Sequence, residues 1–307
     1  MSQMLVRGMH GLGDNLHQRA VLRQLMERHE VWLESSWVAP YYDLIGQGLR
    51  VIRKSTSLRT QAKNADRENA RFHTGPLPRF SRAANVWYRP EEVRSCRSVL
   101  GAMCKNTGTD IQRADFRLPV PDEWAARARA VLDDTRKPIL VYRPLVERTE
   151  WSGCAARNPD HVAYAELYDS IRDLFHVVSI ADLVKGKEWM TGLNVEVDQR
   201  FHAGELEFET LAGLFSIASM TFCSPGFSVI LSQAVCTPVV CSFGSYESSY
   251  SFSPGAKFAP YLGIDPIIPC DDFKHDDTRD KSIDIPRAKA RLADFAARAA
   301  AGRPQAA

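Results

Sequence analysis

Gln3-Met-Leu-Val-Arg7, then Gly8-Met-His-Gly-Leu-Gly13-Asp14, then Leu16, Ala20, Leu22 and Leu25 form the stretch that decides the fold. A short apolar run passes through a glycine-rich turn into apolar side chains at helical spacing, which reads as strand, turn and helix. Working outward, strands are expected at Val31-Trp-Leu-Glu34 and Arg50-Val-Ile-Arg53, with a helical stretch between them. Strands alternating with helices imply βαβ units and a mostly parallel sheet. Residues 54–83, rich in Arg, Asn and Pro, read as a functional loop or small subdomain. Turn formers at Asp133-Asp-Thr-Arg-Lys-Pro138 mark a hinge, and the alternation restarts at Ile139-Leu-Val-Tyr142. Asn158-Pro159-Asp160 is a helix start, with Asn158 read as the cap. Further strands are expected at 175–180, 221–223 and 238–242, and helices at 206–218, 227–235 and 286–300. The fold class is α/β, two Rossmann-like domains facing a central cleft. Residues 1–132 form the first domain, 133–285 the second, and 286–307 a C-terminal helix with a frayed tail.

With 307 residues, 45% hydrophobic and 25% charged, the composition excludes disorder and low-complexity arrays. No apolar run is long enough to span a bilayer, and the first residues lack a secretory pattern. Seven cysteines at 96, 104, 154, 223, 236, 241 and 270 contain no CxxC pair, so core thiols in a reducing compartment are expected. A cytoplasmic protein is the resulting expectation. The net charge of +2 is unevenly spread: residues 1–120 carry 19 Lys and Arg against 11 Asp and Glu. Between Arg53 and Arg97 arginines recur with Phe72, Phe80, Trp87 and Tyr88 interleaved. Such a stretch suits an anionic polymer by charge and stacking, or is an ordinary solvated surface.

Two constellations carry chemistry. In the first turn, glycines permit close backbone approach, and Asp14 stands where a phosphate would otherwise bind. Asp14 reads either as a general base for an acceptor hydroxyl or as a plain helix cap. His10 and His17 lie near the same turn. The second constellation is Ser224-Pro-Gly226-Phe227-Ser228, a strand-to-helix turn built of small residues. With Arg143, Arg148 and Arg157 it would hold a diphosphate. No Walker loop, GxSxG elbow, HExxH or metal cluster is present, so neither a metal nor a further cofactor is expected.

Gly11-Leu-Gly-Asp14 and Phe222-Cys-Ser-Pro-Gly-Phe-Ser228 together resemble the family 9 glycosyltransferases, the lipopolysaccharide heptosyltransferase-like enzymes of GT-B fold. Leu211-Ala-Gly-Leu-Phe-Ser-Ile-Ala-Ser219 and Cys236-Thr-Pro-Val-Val-Cys-Ser-Phe-Gly244 match in the same order. Arg157-Asn-Pro159 is similar to the family's Lys-x-Trp-Pro element with its lysine missing. The resemblance implies an inverting transfer from a nucleotide-diphosphate sugar. Asp14 would be the base, assisted by His10. The donor would be held by Arg143, Arg148, Arg157, Ser224, Gly226, Phe227 and Ser228. It places the acceptor on the first domain, where Gly11, Gly13, His17, Arg59, Lys63 and Arg67 are the candidate contacts. Ser224 replaces the family's Asp and Val229 its His, departures that bear on the donor.

Two acceptors fit an anionic polymer: DNA with hydroxymethylated bases, as in phage-type modification, towards which the Arg-rich stretch leans, and lipopolysaccharide core. A catalytically inactive nucleic-acid-binding protein and a sugar-nucleotide epimerase are the competing readings.

Overall fold

The computed structural model describes residues 2–151 and 154–302; the tail expected beyond residue 302 lies outside them. The chain divides into two compact units, Met1–Pro119 and Val120–Ala307.

The first unit runs β1 (Ser2–Arg7), α1 (Leu12–Met26), β2 (His29–Ser35), α2 (Tyr42–Gly46), β3 (Arg50–Arg53), α3 (Arg59–Arg67), β4 (Arg82–Asn85), α4 (Pro90–Cys96) and α5 (Val99–Thr107). Its sheet is parallel, in the order β3-β2-β1-β4. β1 is central and apolar on its inner positions, with Val6 fully buried, as a strand covered on both faces requires. The expected loop at 54–83 contains the helix α3. Its C-terminal neighbour Glu68 accepts the backbone N–H groups of Val38 and Ala39 at 2.7 and 3.0 Å, and Asn64 donates to Ser36 O. These buried polar groups dock the segment onto the loop after β2.

Arg19 is wholly buried in this unit. Its guanidinium holds Asp43 at 2.8 and 2.9 Å, and donates to the carbonyls of Phe116, Arg117 and Pro40. A buried charge is tolerated only with such a complete set of partners.

The second unit runs α6 (Asp122–Ala130), β5 (Ile139–Tyr142), β6 (Val146–Arg148), α7 (His161–Asp169), β7 (His176–Ile180), β8 (Glu188–Met190), β9 (Gln199–Phe201), α8 (Phe208–Ile217), β10 (Met220–Cys223), α9 (Phe227–Ala234), β11 (Val239–Ser242), β12 (Tyr261–Ile264) and α10 (Ile285–Ala301). Its main sheet is parallel in the order β12-β11-β10-β5-β7-β9, the doubly wound order of a Rossmann fold. A stack of Tyr142, Tyr164, Tyr168 and Phe222 fills the space between sheet and α7, with centroids 4.5 to 6.3 Å apart. Ala288, Leu292, Ala296 and Ala299 recur at helical spacing along α10 and close the same core.

The units part between Pro119 and Val120, ahead of the turn at 133 where the sequence suggested a hinge. The reason is α6: a Cβ on Gly213 in α8 would lie 2.1 Å from Trp124 O, so the two helices touch backbone to backbone. The ring of Trp124 also packs on that of Phe208, 6.0 Å away. A second difference concerns α7, whose cap is Asp160. Its carboxylate accepts from Ala163 N at 2.8 Å, whereas Asn158 donates to Val146 O.

Between β7 and β9 a doubly wound sheet normally carries a helix. Here the connection is the short strand β8, paired antiparallel with β6. Of the described cysteines, Cys104, Cys223 and Cys241 are core residues as expected, Cys96 and Cys270 are half-buried, and Cys236 is exposed.

Candidate functional site

In the first unit the sheet's growth reverses direction between β1 and β4. Such a point opens a crevice at the carboxyl ends of the strands. The turn leaving β1 and the turn leaving β4 meet there. Gly11, not Asp14, is the N-cap position of α1, and Asp14 is the acid of its first turn. Tyr88 Oη donates to Asp14 Oδ1 at 2.8 Å. Asp14 Oδ2 folds back over Gly11, within 2.7 Å of where a Cβ would stand, which is why a glycine is needed. The turn's carbonyls are occupied by side chains: Gly8 O by Lys54 and Trp87, Met9 O and Gly11 O by Asn15, His10 O by Trp37.

The other predicted acceptor residues separate. Gly13 is buried inside α1. His10 lies edge-on to Trp87 at 5.5 Å, and burial together with the Lys54 charge lowers its pKa. His17 is not at the crevice surface. It is 4% exposed, packed edge-on to Phe116, and burial pushes its pKa down to about 3. Arg59, Lys63 and Arg67 recur every four residues along one side of α3. The aromatics interleaved with the arginines are largely structural: Phe72 is buried, and Phe80 packs on Trp32 at 6.0 Å.

In the second unit the corresponding point lies between β5 and β10. Arg143 follows β5 and its backbone N donates to Phe222 O at 3.0 Å, which sets it beside the turn from Ser224 to Gly226. Gly226 has φ +156°, a conformation that side chains rarely adopt, so glycine is required at the start of α9. Phe227 lies under the Arg143 guanidinium at 4.8 Å. Ser224 is half-buried; Ser228 is fully buried, and its Oγ has no hydrogen-bond partner among the described residues. Val229, at the family's His position, is a core residue.

The three arginines are not equivalent. Arg148 pairs with Glu188 at 3.0 Å, and Arg143 lies 3.9 Å from the same carboxylate. Arg157 pairs with Glu247 at 3.0 Å. Both glutamates are buried. Burial raises the Glu247 pKa, and Arg157 draws it back. Arg143 thus stands beside the turn, while Arg148 and Arg157 pair with buried acids.

A pocket that sequence reading missed adjoins Arg143. It is lined by Tyr142, Tyr164, Ser179, Thr191, Val197 and His202, among others. Ser179 Oγ and His202 Nε2 are 2.8 Å apart. Burial, then the charge of Arg200, lowers the His202 pKa; Arg143 adds to the effect. Thr191 Oγ1 is buried with no hydrogen-bond partner among the described residues. The available signal was the loss of helical periodicity between residues 181 and 198, with Gly186 and Gly192 both at positive φ.

Among the described residues no group of three or more His, Cys, Asp or Glu is placed to hold a metal ion, and no helix is long and apolar enough to cross a membrane.

No family model and no curated protein matches the chain in sequence. Solved structures do match. The chain is similar to the ADP-heptose lipopolysaccharide heptosyltransferase II of E. coli, with 14% identity and a TM-score of 0.56 over 96% of this chain and 99% of that one. The iron-containing dodecameric glycosyltransferase TibC of enterotoxigenic E. coli gives 15% and 0.62 over 97% and 76%. A family 9 glycosyl transferase of Veillonella parvula gives 13% and 0.55 over 96% and 97%. Likeness at these identities is one of fold: the α/β fold with parallel sheets is that of these glycosyltransferases, as the resemblance implied.

Proposed function

We propose that the protein is a glycosyltransferase that moves a sugar from a nucleoside-diphosphate donor to a hydroxyl of an anionic acceptor, with inversion. The observation that carries this reading is Asp14. It is a carboxylate in the first turn of α1, at a topological switch point, that accepts the Tyr88 hydroxyl. In the mechanism Asp14 takes the proton of the acceptor hydroxyl as its oxygen attacks the anomeric carbon, and the bond to the diphosphate breaks. Arg143, Ser224 and the amides at Gly226, Phe227 and Ser228 stabilise the leaving diphosphate, a metal-independent arrangement of fixed cation and helix start. The pocket of Tyr142, Ser179 and His202 takes the nucleoside. The α3 face of Arg59, Lys63 and Arg67 attracts the acceptor's negative charge.

The acceptor is of an anionic kind, a hydroxymethylated DNA base or a phosphorylated glycan of the lipopolysaccharide-core kind.

The test is a thermal-shift panel of ADP, UDP, GDP, CDP and their sugar conjugates. A ligand at a hundred times its Kd adds about 2.7 kcal/mol of stability. One nucleotide should stabilise the protein, and Arg143→Ala should remove the effect. No stabilisation by any of them, combined with duplex DNA binding that falls steeply with salt, would replace the transferase reading with that of a nucleic-acid-binding protein.

A further inference from the structure

We infer that Tyr88 is the positioning residue for Asp14, and that the turn after β4 exists in this form to deliver its hydroxyl. The inference rests on the reading of Asp14 as the base. Tyr88 is 74 positions from Asp14 in sequence and reaches it across the crevice between β1 and β4. The residue before it fixes that reach. Trp87 Nε1 donates to Gly8 O at 3.1 Å, and Lys54 Nζ donates to the same carbonyl at 2.6 Å. Lys54 also lies 4.5 Å from the centre of the Trp87 ring, and His10 meets that ring edge-on. The turn after β4 is therefore fastened to the turn after β1 immediately beside Tyr88.

The chemistry follows from the donor's identity. A phenol hydrogen bond stabilises the ionised carboxylate over the protonated acid. It keeps Asp14 charged and ready to accept a proton, and it commits Oδ1. The acceptor's proton then goes to the Asp14 carboxylate, the acceptor oxygen bonds to the anomeric carbon, and the nucleoside diphosphate leaves with the electron pair. Tyr88 keeps its own proton throughout. The other titratable groups facing this place are His10 on the same turn, Lys54 after β3 and Tyr41 behind α1. Lys54 in turn feels Glu34 and Arg7.

The experiment follows the Asp14 carboxyl by carbon NMR of aspartate-labelled protein, its resonance assigned by loss in Asp14→Asn. In Tyr88→Phe the Asp14 midpoint should rise by about one pH unit. With the nucleotide sugar selected by the thermal-shift panel, the acid limb of the rate profile should move to higher pH by the same amount, so that kcat on that limb falls about tenfold with donor KM unchanged. An unchanged Asp14 midpoint in Tyr88→Phe, or a loss expressed only in KM, would overturn the inference while Asp14→Asn remained inactive. Full transfer by Asp14→Asn would instead overturn the underlying reading, whatever Tyr88→Phe did.

Discussion

Asp14 and His17 sit one helical turn apart on α1 and meet opposite fates. Asp14 stays half-buried at the crevice, while His17 turns into the core. The spacing of Gly11, Gly13 and Asp14 made the first legible in sequence, because a glycine turn followed by an acid has few purposes. Nothing in the sequence distinguished the second, since its burial depends on Phe116, a residue brought in from the far end of the unit. A histidine held neutral by burial makes stability depend on pH. The folded value of about 3 lies below the ordinary 6.5, so the unfolded chain binds the proton first as pH falls. The contribution of His17 is therefore complete above pH 6.5 and is lost progressively down to about pH 3. Urea unfolding midpoints should fall between pH 7 and pH 5, and His17→Leu should flatten that slope. Persistence of the full slope in the variant would assign it to other groups.

At the scale of elements, the strands flanked by strong apolar patterns were readable, and β4 was not. Its sequence Arg82-Ala-Ala-Asn85 has little strand preference, and it is a strand because β1 offers a free edge in register from Met4 to Arg7. The helix missing between β7 and β9 was equally hidden. In its place β8 carries Glu188 beneath Arg143 and Arg148. One buried carboxylate against two guanidiniums leaves a net positive charge beside the α9 start, which suits a diphosphate. Glu188→Gln should unfold more readily by about 3 kcal/mol or more, because two cations lose their counterion. The same variant should gain more stability from a nucleoside diphosphate than the parent does. Thermal shifts measured with and without the nucleotide separate the two effects; an equal ligand-induced shift in both proteins would show that Glu188 does not tune this site.

For the whole molecule, the sequence identified two α/β halves and the order of their motifs, yet set the division at a conspicuous turn. Turn chemistry is local, whereas the division is decided by which surfaces α6 covers, and Gly213 accepts the α6 backbone at a distance no other residue would allow. A fragment beginning at Val120 should therefore unfold in one cooperative transition. A fragment beginning at Asp133 would expose Phe208 and the α8 face, and should show a broadened transition or bind a hydrophobic dye. Equal cooperativity in the two fragments would argue for the later division. The positive excess of residues 1–120 falls on the first unit, so the sign of the charge and the structural division coincide. Arg19 gives that unit a further property, one of time. Two of the carbonyls it holds lie 97 and 98 positions later in the chain, so during synthesis the guanidinium emerges long before those two acceptors. The amino-terminal helix and its Asp43 counterion emerge early, but the guanidinium lacks two of its carbonyl acceptors until Phe116 and Arg117 leave the ribosome. The first unit is thus completed as a whole rather than grown strand by strand, and a nascent chain that stalls before residue 116 would carry an open core whose buried ion pair lacks two of its hydrogen-bond acceptors.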